Sequence, residues 1–394
     1  MAWYTASVPA TSNPFALTEE QLRLIEDTRR IARDVLVPIA EAGEPGRVNR
    51  PLVKALAAEG LLGRMFPKRA GGTRESDEIS AVDLCLLREA LAQESTEAET
   101  ALAMQGIGVY PILQSGSEDL VRRWVTPVAR GEAVAAFALT EPEHGSDAGA
   151  IELRAERAGD GYRLSGVKTW ISNAPDADVY TLFARTTPGA GARGLTAFVL
   201  PGDARGLFGE PIDLISPHPI GRLELDGVLL PAENVIGEVD RGFGVAMRML
   251  DRFRPSVGAF AVGMAQGALD AAVAYASQRT AFGKPLQDFQ AVSHRLAEMA
   301  TRTEAARLLV YAAAARHDAS DGRDPGVTKA SAMAKLFATE AAQFVVDGAV
   351  QIHGAGALER GHVLERLYRE VRAPRIYEGT SEIQREVIAR ELFR

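Results

Sequence analysis

Several short segments carry side chains that could do chemistry together. Tyr377-Glu-Gly-Thr380, inside Arg375–Arg385, sets the carboxylate of Glu378 beside Gly379. Glycine lets the chain turn tightly at such a place. A carboxylate confined in an apolar, water-poor pocket is pushed toward useful basicity. Phe137-Ala-Leu-Thr-Glu-Pro-Glu-His-Gly-Ser-Asp147 offers Thr140 and Ser146, and hydroxyls with turn N–H groups suit a pyrophosphate. Lys168-Thr-Trp-Ile-Ser-Asn173 presents Trp170 and Ser172. Arg279-Thr-Ala-Phe-Gly283 with Phe289-Gln290, and Gln351-Ile-His-Gly354, complete the set. Taken singly, each has a plainer explanation. Glu378 would be an exposed loop residue, the Thr140–Asp147 turn would cap itself, Trp170 would be strand core, and Arg279 a solvated helix-end charge. His144 reads as a loop surface residue and His353 as structural.

Two other features invite chemistry and are set aside. Gly189-Ala-Gly-Ala-Arg-Gly194 spells G-x-G-x-x-G, but a dinucleotide fingerprint follows a strand and opens a helix. Here Thr-Thr-Pro precedes it and an apolar β run follows, so a flexible hairpin loop is expected. Cys85 is the single cysteine, which excludes an intramolecular disulfide and a Cys-rich zinc site. It lies in an apolar helical run and reads as a buried, inert thiol.

The elements that must position these residues change character twice. Thr18-Glu-Glu-Gln21 fits a capping box ahead of an apolar pattern at Leu24, Ile31 and Val35. Pro38 should kink or end that helix. Further helices are expected from Pro51 to Leu56, Ile79 to Met104 and Ser117 to Arg130. Strand patterns then take over. Ala133–Leu139, Ile151–Arg157, Tyr162–Leu164, Lys168–Ser172, Val179–Ala184, Leu195–Leu200 and Arg222–Val228 alternate or run apolar. Gly159-Asp160-Gly161 marks a hairpin. From Gly242 on, Ala-rich helices return at Phe243–Ser277, Phe289–His317 and Val327–Ile352, with shorter ones at Leu364–Val371 and Ser381–Phe393. Helices apolar on several faces belong in a bundle or a subunit interface. The expected fold class is α+β, mostly α. An N-terminal helical domain (1–132) precedes a middle β-barrel-like domain (133–236) and a C-terminal four-helix bundle (237–394).

In order and spacing, the segments resemble the acyl-CoA dehydrogenase family from about residue 17 to 393. The resemblance implies FAD in a crevice among the three domains and α,β-dehydrogenation of an acyl-CoA thioester. Glu378 would take the α-proton while the β-hydrogen leaves as hydride to flavin N5, from opposite sides of the Cα–Cβ bond. It assigns Phe137, Leu139, Thr140, Ser146, Trp170 and Ser172 to the flavin. Gly379, Thr380 and Glu382 would make further flavin contacts. Arg279, Phe282, Gln290, Gln351 and Gly354 would reach the cofactor of a neighbouring subunit. On the substrate side it places Ser146, Asp251, Arg254, Tyr377, Glu99 and the Gly379 N–H, the last as donor to the thioester oxygen. Arg254 could instead form a helix salt bridge. Some members carry the base on an earlier helix; Phe253 stands there here, so no carboxylate competes with Glu378. The resemblance further implies a homotetramer (a dimer of dimers) and an electron-transfer flavoprotein as acceptor. Other readings on the same scaffold are an acyl-CoA oxidase, a flavin monooxygenase, or a dehydrogenase of carrier-protein thioesters.

Three departures stand out. Asp213-Leu-Ile-Ser-Pro-His-Pro-Ile-Gly221 replaces the family's Met-Gly-x-Arg-x-Ser-x-Thr stretch, which puts the usual substrate contacts there in doubt and suggests a divergent branch. Ala355 replaces a second glycine. Glu99 falls near the place where the glutaryl-CoA member has an arginine, so a distal carboxylate would be repelled and a polar, hydroxylated or cationic acyl end becomes admissible. Alternatively Glu99 faces solvent. In bulk, hydrophobic residues are 46% and charged residues 24%, and the net charge is −8, which argues against nucleic acid as the main partner. Residues 1–16 show no secretory pattern, and no run is expected to reach membrane-span length. A cytoplasmic location, without membrane partners, is therefore expected.

Overall fold

The computed structural model describes residues 17–393; the expectation about residues 1–16 falls outside them. Helices α1 (Glu19–Ile31), α2 (Val37–Glu41), α3 (Arg50–Ala58), α4 (Ala81–Glu94), α5 (Thr96–Ser115), α6 (Glu118–Leu120) and α7 (Thr126–Ala129) form the first part. The Thr18 hydroxyl accepts from the Gln21 N–H, and the Gln21 amide oxygen accepts from the Thr18 N–H, closing the capping box. Pro38 does not end the helical path. A π turn over Ala32–Leu36 absorbs the mismatch, and Pro38 sits in the first turn of α2, where it needs no N–H partner. The helical region expected from Ile79 to Met104 holds two helices, divided at Ser95, whose hydroxyl accepts from the Ala98 N–H and caps α5.

Eight strands follow: β1 (Ala135–Ala138), β2 (Arg154–Ala158), β3 (Gly161–Ser172), β4 (Val179–Arg185), β5 (Leu195–Pro201), β6 (Leu207–Pro211), β7 (Ile220–Pro231) and β8 (Val235–Ile236). They pair in the order β6-β7-β3-β2-β4-β5-β8, with β1 added in parallel to β4. Gly159 and Asp160 join β2 to β3 with Ala158 opposite Gly161, the expected hairpin. Residues 189–194 lie in the loop between antiparallel β4 and β5, and Gly194 feeds a strand rather than a helix, so no dinucleotide turn forms. Strand β6 went unread because Leu207-Phe-Gly-Glu-Pro211 is a mostly exposed edge without alternation.

The last part comprises α8 (Gly242–Gln278), a small hairpin of β9 (Thr280–Ala281) and β10 (Lys284–Pro285), then α9 (Gln290–Ser320), α10 (Val327–His353), α11 (Val363–Glu370) and α12 (Ser381–Leu392). Contrary to expectation, one helix, α8, is long and apolar enough to cross a membrane. It runs through the middle of the bundle, with 67% of its most apolar window buried against α4, α9 and α10.

Helix α5 couples the first part to the sheet. A Cβ on Gly108 would lie 2.6 Å from the Ala135 Cβ, so only glycine permits this approach. The Gly108 carbonyl accepts from the Thr181 hydroxyl (2.6 Å), and the Gln105 amide oxygen accepts from the Ala135 N–H (2.9 Å). Strand β1, which leads into Phe137–Asp147, is thereby fixed against a helix of the other layer.

Candidate active site

The sheet side of the site begins where β1 ends. Leu139 is buried and Phe137 half-buried, its ring 5.0 Å from that of Phe183. Glu141 anchors the segment beyond. Its carboxylate accepts from the Glu152 N–H (2.6 Å), the Leu153 N–H (2.9 Å) and the fully buried Lys168 ammonium (2.8 Å). Lys168 also donates to the Leu139 carbonyl at 2.8 Å. Burial brings the Lys168 pKa down to about 8 against the opposing pull of Glu141.

One residue farther, the β3–β7 register shifts between Lys168 and Ile171. This bulge turns Trp170 outward. It has φ +57° and remains 54% exposed, while the Thr169 N–H donates to the Thr140 carbonyl at 3.0 Å. Trp170 is therefore not the core residue its strand position would suggest. Thr140 is half-buried, Ser146 lies exposed in the following turn, and His144 is half-buried beside it.

The helical side holds Glu378 between α10 and α12. It is half-buried with φ +52°, and its Oε2 is buried without a hydrogen-bond partner. Burial raises its pKa, opposed first by Arg88, then by Lys335 and Arg254. Gly379 follows at φ +90°. A Cβ there would sit 2.5 Å from the Gln384 amide nitrogen, so the turn requires glycine. Tyr377 flanks the base. Thr380 caps α12 by accepting from the Ile383 N–H (3.2 Å), and Glu382 is exposed in the first turn.

Glu99 differs from both expectations for it. It neither faces solvent nor stands as a free repelling charge. It is fully buried and ion-paired with Arg88, which also donates to the Ser256 hydroxyl at 2.7 Å. The neutralising partner sits eleven positions earlier, on α4, so the argument for repulsion of a distal carboxylate falls away. Arg254 makes the helix salt bridge to Asp251 (2.8 Å), and Thr328 donates to the other Asp251 oxygen at 3.0 Å. It still bears on Glu378, and its Nε is buried without a partner. Phe253 is fully buried, with its ring 5.7 Å from Tyr110.

The divergent stretch 213–221 joins the two sides. His218 Nε2 lies 2.7 Å from the Ser172 hydroxyl, and burial lowers the His218 pKa to about 4, leaving it neutral. Arg369 donates to the Ile215 carbonyl at 2.9 Å, and Glu370 bonds Ser216. Glu370 in turn bears electrostatically on Tyr377. A chain of hydrogen bonds thus runs from Ser172 as far as Glu370, which acts on the segment of the base through its charge. Ser172 and Tyr377 are legible in the sequence; His218, Ser216 and Glu370 between them are not, because 213–221 stands out there only for what it lacks.

The remaining candidates gather at one end of the C-terminal bundle. Tyr275 of α8 stacks on His353 at the end of α10 (4.2 Å between centroids). This brings Arg279 and the β9–β10 hairpin to the same end as Gln351 and Gly354. Arg279, Gln290, Gln351 and Gly354 are exposed, and Phe282, at the hairpin tip, is 95% exposed. They do not join Glu378 and Trp170 within one chain. Cys85 is buried, and burial pushes its thiol pKa up. Arg88, Lys335 and Gln384 were missed altogether. The available signal was a charged or amide side chain inside an otherwise apolar helix.

Comparison with known proteins agrees with this architecture. Family models described as the acyl-CoA dehydrogenase N-terminal, middle and C-terminal domains match residues 18–132, 136–228 and 240–393. A 3-(aryl)acrylate reductase of Clostridium sporogenes is 38% identical over 385 residues, covering 95% of this chain and 99% of its own. The CarC subunit of the caffeyl-CoA reductase–Etf complex of Acetobacterium woodii is 37% identical over 390 residues, with 95% and 99% covered. Among solved structures, butyryl-CoA dehydrogenase from Megasphaera elsdenii superposes with a TM-score of 0.90 at 34% identity, covering 97% of this chain and 100% of that one.

Proposed function

The chain belongs to the acyl-CoA dehydrogenase family, and from that premise we propose that it interconverts an acyl-CoA and its trans-2-enoyl-CoA with Glu378 as the base. Enzymes of this family are oxidoreductases that use FAD. The side chains present fit such a group. The bulge exposes the flat Trp170 indole beside Thr140, with half-buried Ser172 two residues farther along β3 and half-buried Phe137 on β1. Trp170 and Ser172 would flank the ring system, and Thr140 with Ser146 would hold its phosphates. Bound FAD supplies the two-electron acceptor for the β-hydrogen.

The observation that carries the reading is the buried Glu378 Oε2 without a hydrogen-bond partner, which leaves a lone pair free for a substrate proton. An acidic C–H is the group such an oxygen serves. Its raised pKa makes it a stronger base than an exposed glutamate, a rise that Arg88, Lys335 and Arg254 oppose. The Gly379 N–H donates to the thioester oxygen and stabilises the enolate that develops as the α-proton leaves. Tyr377 lines the acyl slot.

The exposed Arg279, Phe282, Gln290, Gln351 and Gly354 cluster would complete the cofactor site of a second subunit in a homotetramer. An electron-transfer flavoprotein is the acceptor that fits a relative named as part of an Etf complex. The protein is read as cytoplasmic. The test is anaerobic mixing of the FAD-loaded protein with a panel of short, branched, cyclic and aromatic acyl-CoAs. Wild type should bleach with at least one, while Glu378→Gln keeps its flavin and stays yellow. Reduction of that variant at the wild-type rate would show another base acting.

A further inference from the structure

Three cations bear on Glu378, and two of them bring a carboxylate of their own. Arg88 is paired with Glu99, and Arg254 with Asp251. Lys335, from α10, is different. It is fully buried, and among the described residues it makes no ion pair within 4.0 Å. Its ammonium donates instead to the Gly379 carbonyl at 2.6 Å. Gln384, buried on α12, donates to the same carbonyl at 3.0 Å and to the Glu378 carbonyl at 3.2 Å. A trans peptide points its C=O and the following N–H in opposite directions. Holding the Glu378 carbonyl on the Gln384 side therefore turns the Gly379 N–H the other way. That N–H has no acceptor among the described residues. The strained positive φ at Glu378 persists because both carbonyls of the turn are tied down.

We propose that Lys335 is a positioning residue for the base, its ammonium clamping the Glu378–Gly379 turn through the Gly379 carbonyl while supplying Glu378 with a positive charge that is tied to no carboxylate in an ion pair. This rests on the reading of Glu378 as the base. The charges facing Glu378 are Arg88 with Glu99 behind it, Arg254 and Lys335, with the Tyr377 phenol alongside. Those facing Lys335 are Glu378, Arg254, Glu340 and Glu382. Lys335 lowers the Glu378 pKa, so its removal shifts the acid limb of flavin reduction to higher pH. Burial brings Lys335 itself down to about 8. The clamp therefore loses its charge as pH rises past that value, giving wild type an alkaline decline.

The experiment measures anaerobic reduction of the FAD-loaded protein from acid to alkaline pH in wild type, Lys335→Met, Lys335→Arg and Glu378→Gln. Infrared titration of the Glu378 carboxyl, identified against Glu378→Gln, runs in parallel. Lys335→Met should bind flavin, reduce roughly a hundredfold more slowly, and show the Glu378 band titrating at higher pH. Lys335→Arg should recover much of the rate and lose the alkaline decline, because arginine stays charged. Three results would overturn the proposal. These are wild-type rate and titration in Lys335→Met, a slow Lys335→Met whose Glu378 titration is unmoved, or, should Lys335→Met not fold, an alkaline decline unchanged in Lys335→Arg. Normal reduction by Glu378→Gln would instead defeat the assignment of the base, whatever Lys335 does.

Discussion

The site has two walls built on opposite electrostatic plans. On the sheet side, Glu141 is saturated: Lys168 and two backbone N–H groups fill its oxygens, and nothing is left to react. On the helical side, Glu378 is surrounded by cations, none of which bonds its carboxylate among the described residues, and one of its buried oxygens is empty-handed. A carboxylate with both oxygens engaged fixes shape, and one held near charge without contact keeps its basicity. The difference lies in whether donors reach the carboxylate itself or only the backbone around it.

The largest effect expected from this contrast is on the sheet side. Glu141→Ala strands a fully buried ammonium and two backbone N–H groups. It should cost about 3–5 kcal/mol of stability and lower flavin retention, measured by urea unfolding and flavin absorbance. A loss below about 1 kcal/mol would show that the anchor is not what holds Phe137–Asp147. On the helical side, Arg88→Met leaves Glu99 buried and uncompensated, with an expected loss of about 3 kcal/mol. It also moves the acid limb of reduction to higher pH, because Arg88 is the strongest influence lowering the Glu378 pKa. Adding Glu99→Leu should restore stability, since an apolar pair replaces an ionic one, while leaving the limb displaced. If the double variant recovers both, Arg88 acts only through packing.

The sheet wall was the more legible of the two. Its residues lie in contiguous runs such as Phe137–Asp147 and Lys168–Asn173, where local backbone geometry dictates the spacing. The base was equally visible, because a glycine must follow it to admit Gln384. What surrounds the base was not. Arg88, Glu99, Arg254 and Lys335 come from four helices and meet only through packing, so the resemblance singles out Glu99 and Arg254 without their partners, and no local pattern announces Arg88 or Lys335. Glu99 shows the consequence: read without Arg88 it is a repelling charge, and read with it a neutral floor. The α5 cap at Ser95 and the π turn before Pro38 were missed for a related reason. Periodicity continues across both, and only the backbone geometry interrupts it.

The smallest effect tests the bridge between the walls. Glu370 reaches Ser216 of the divergent stretch, and its pKa is pushed up to about 8, first by burial and then by the Glu97 carboxylate. A carboxyl whose pKa is higher folded than unfolded favours the fold while both states are protonated, below the ordinary glutamate range. That contribution fades as pH rises, and is gone once pH passes the folded value near 8. Wild type should therefore lose thermal stability from about pH 5 to pH 9. Glu370→Gln, neutral throughout, should remove part of that slope, a difference of a few degrees in Tm. An identical slope in both proteins would mean that Glu370 is ionised in the fold. The Ser216 hydroxyl would then donate a charge-assisted bond to it, the form that this contact favours.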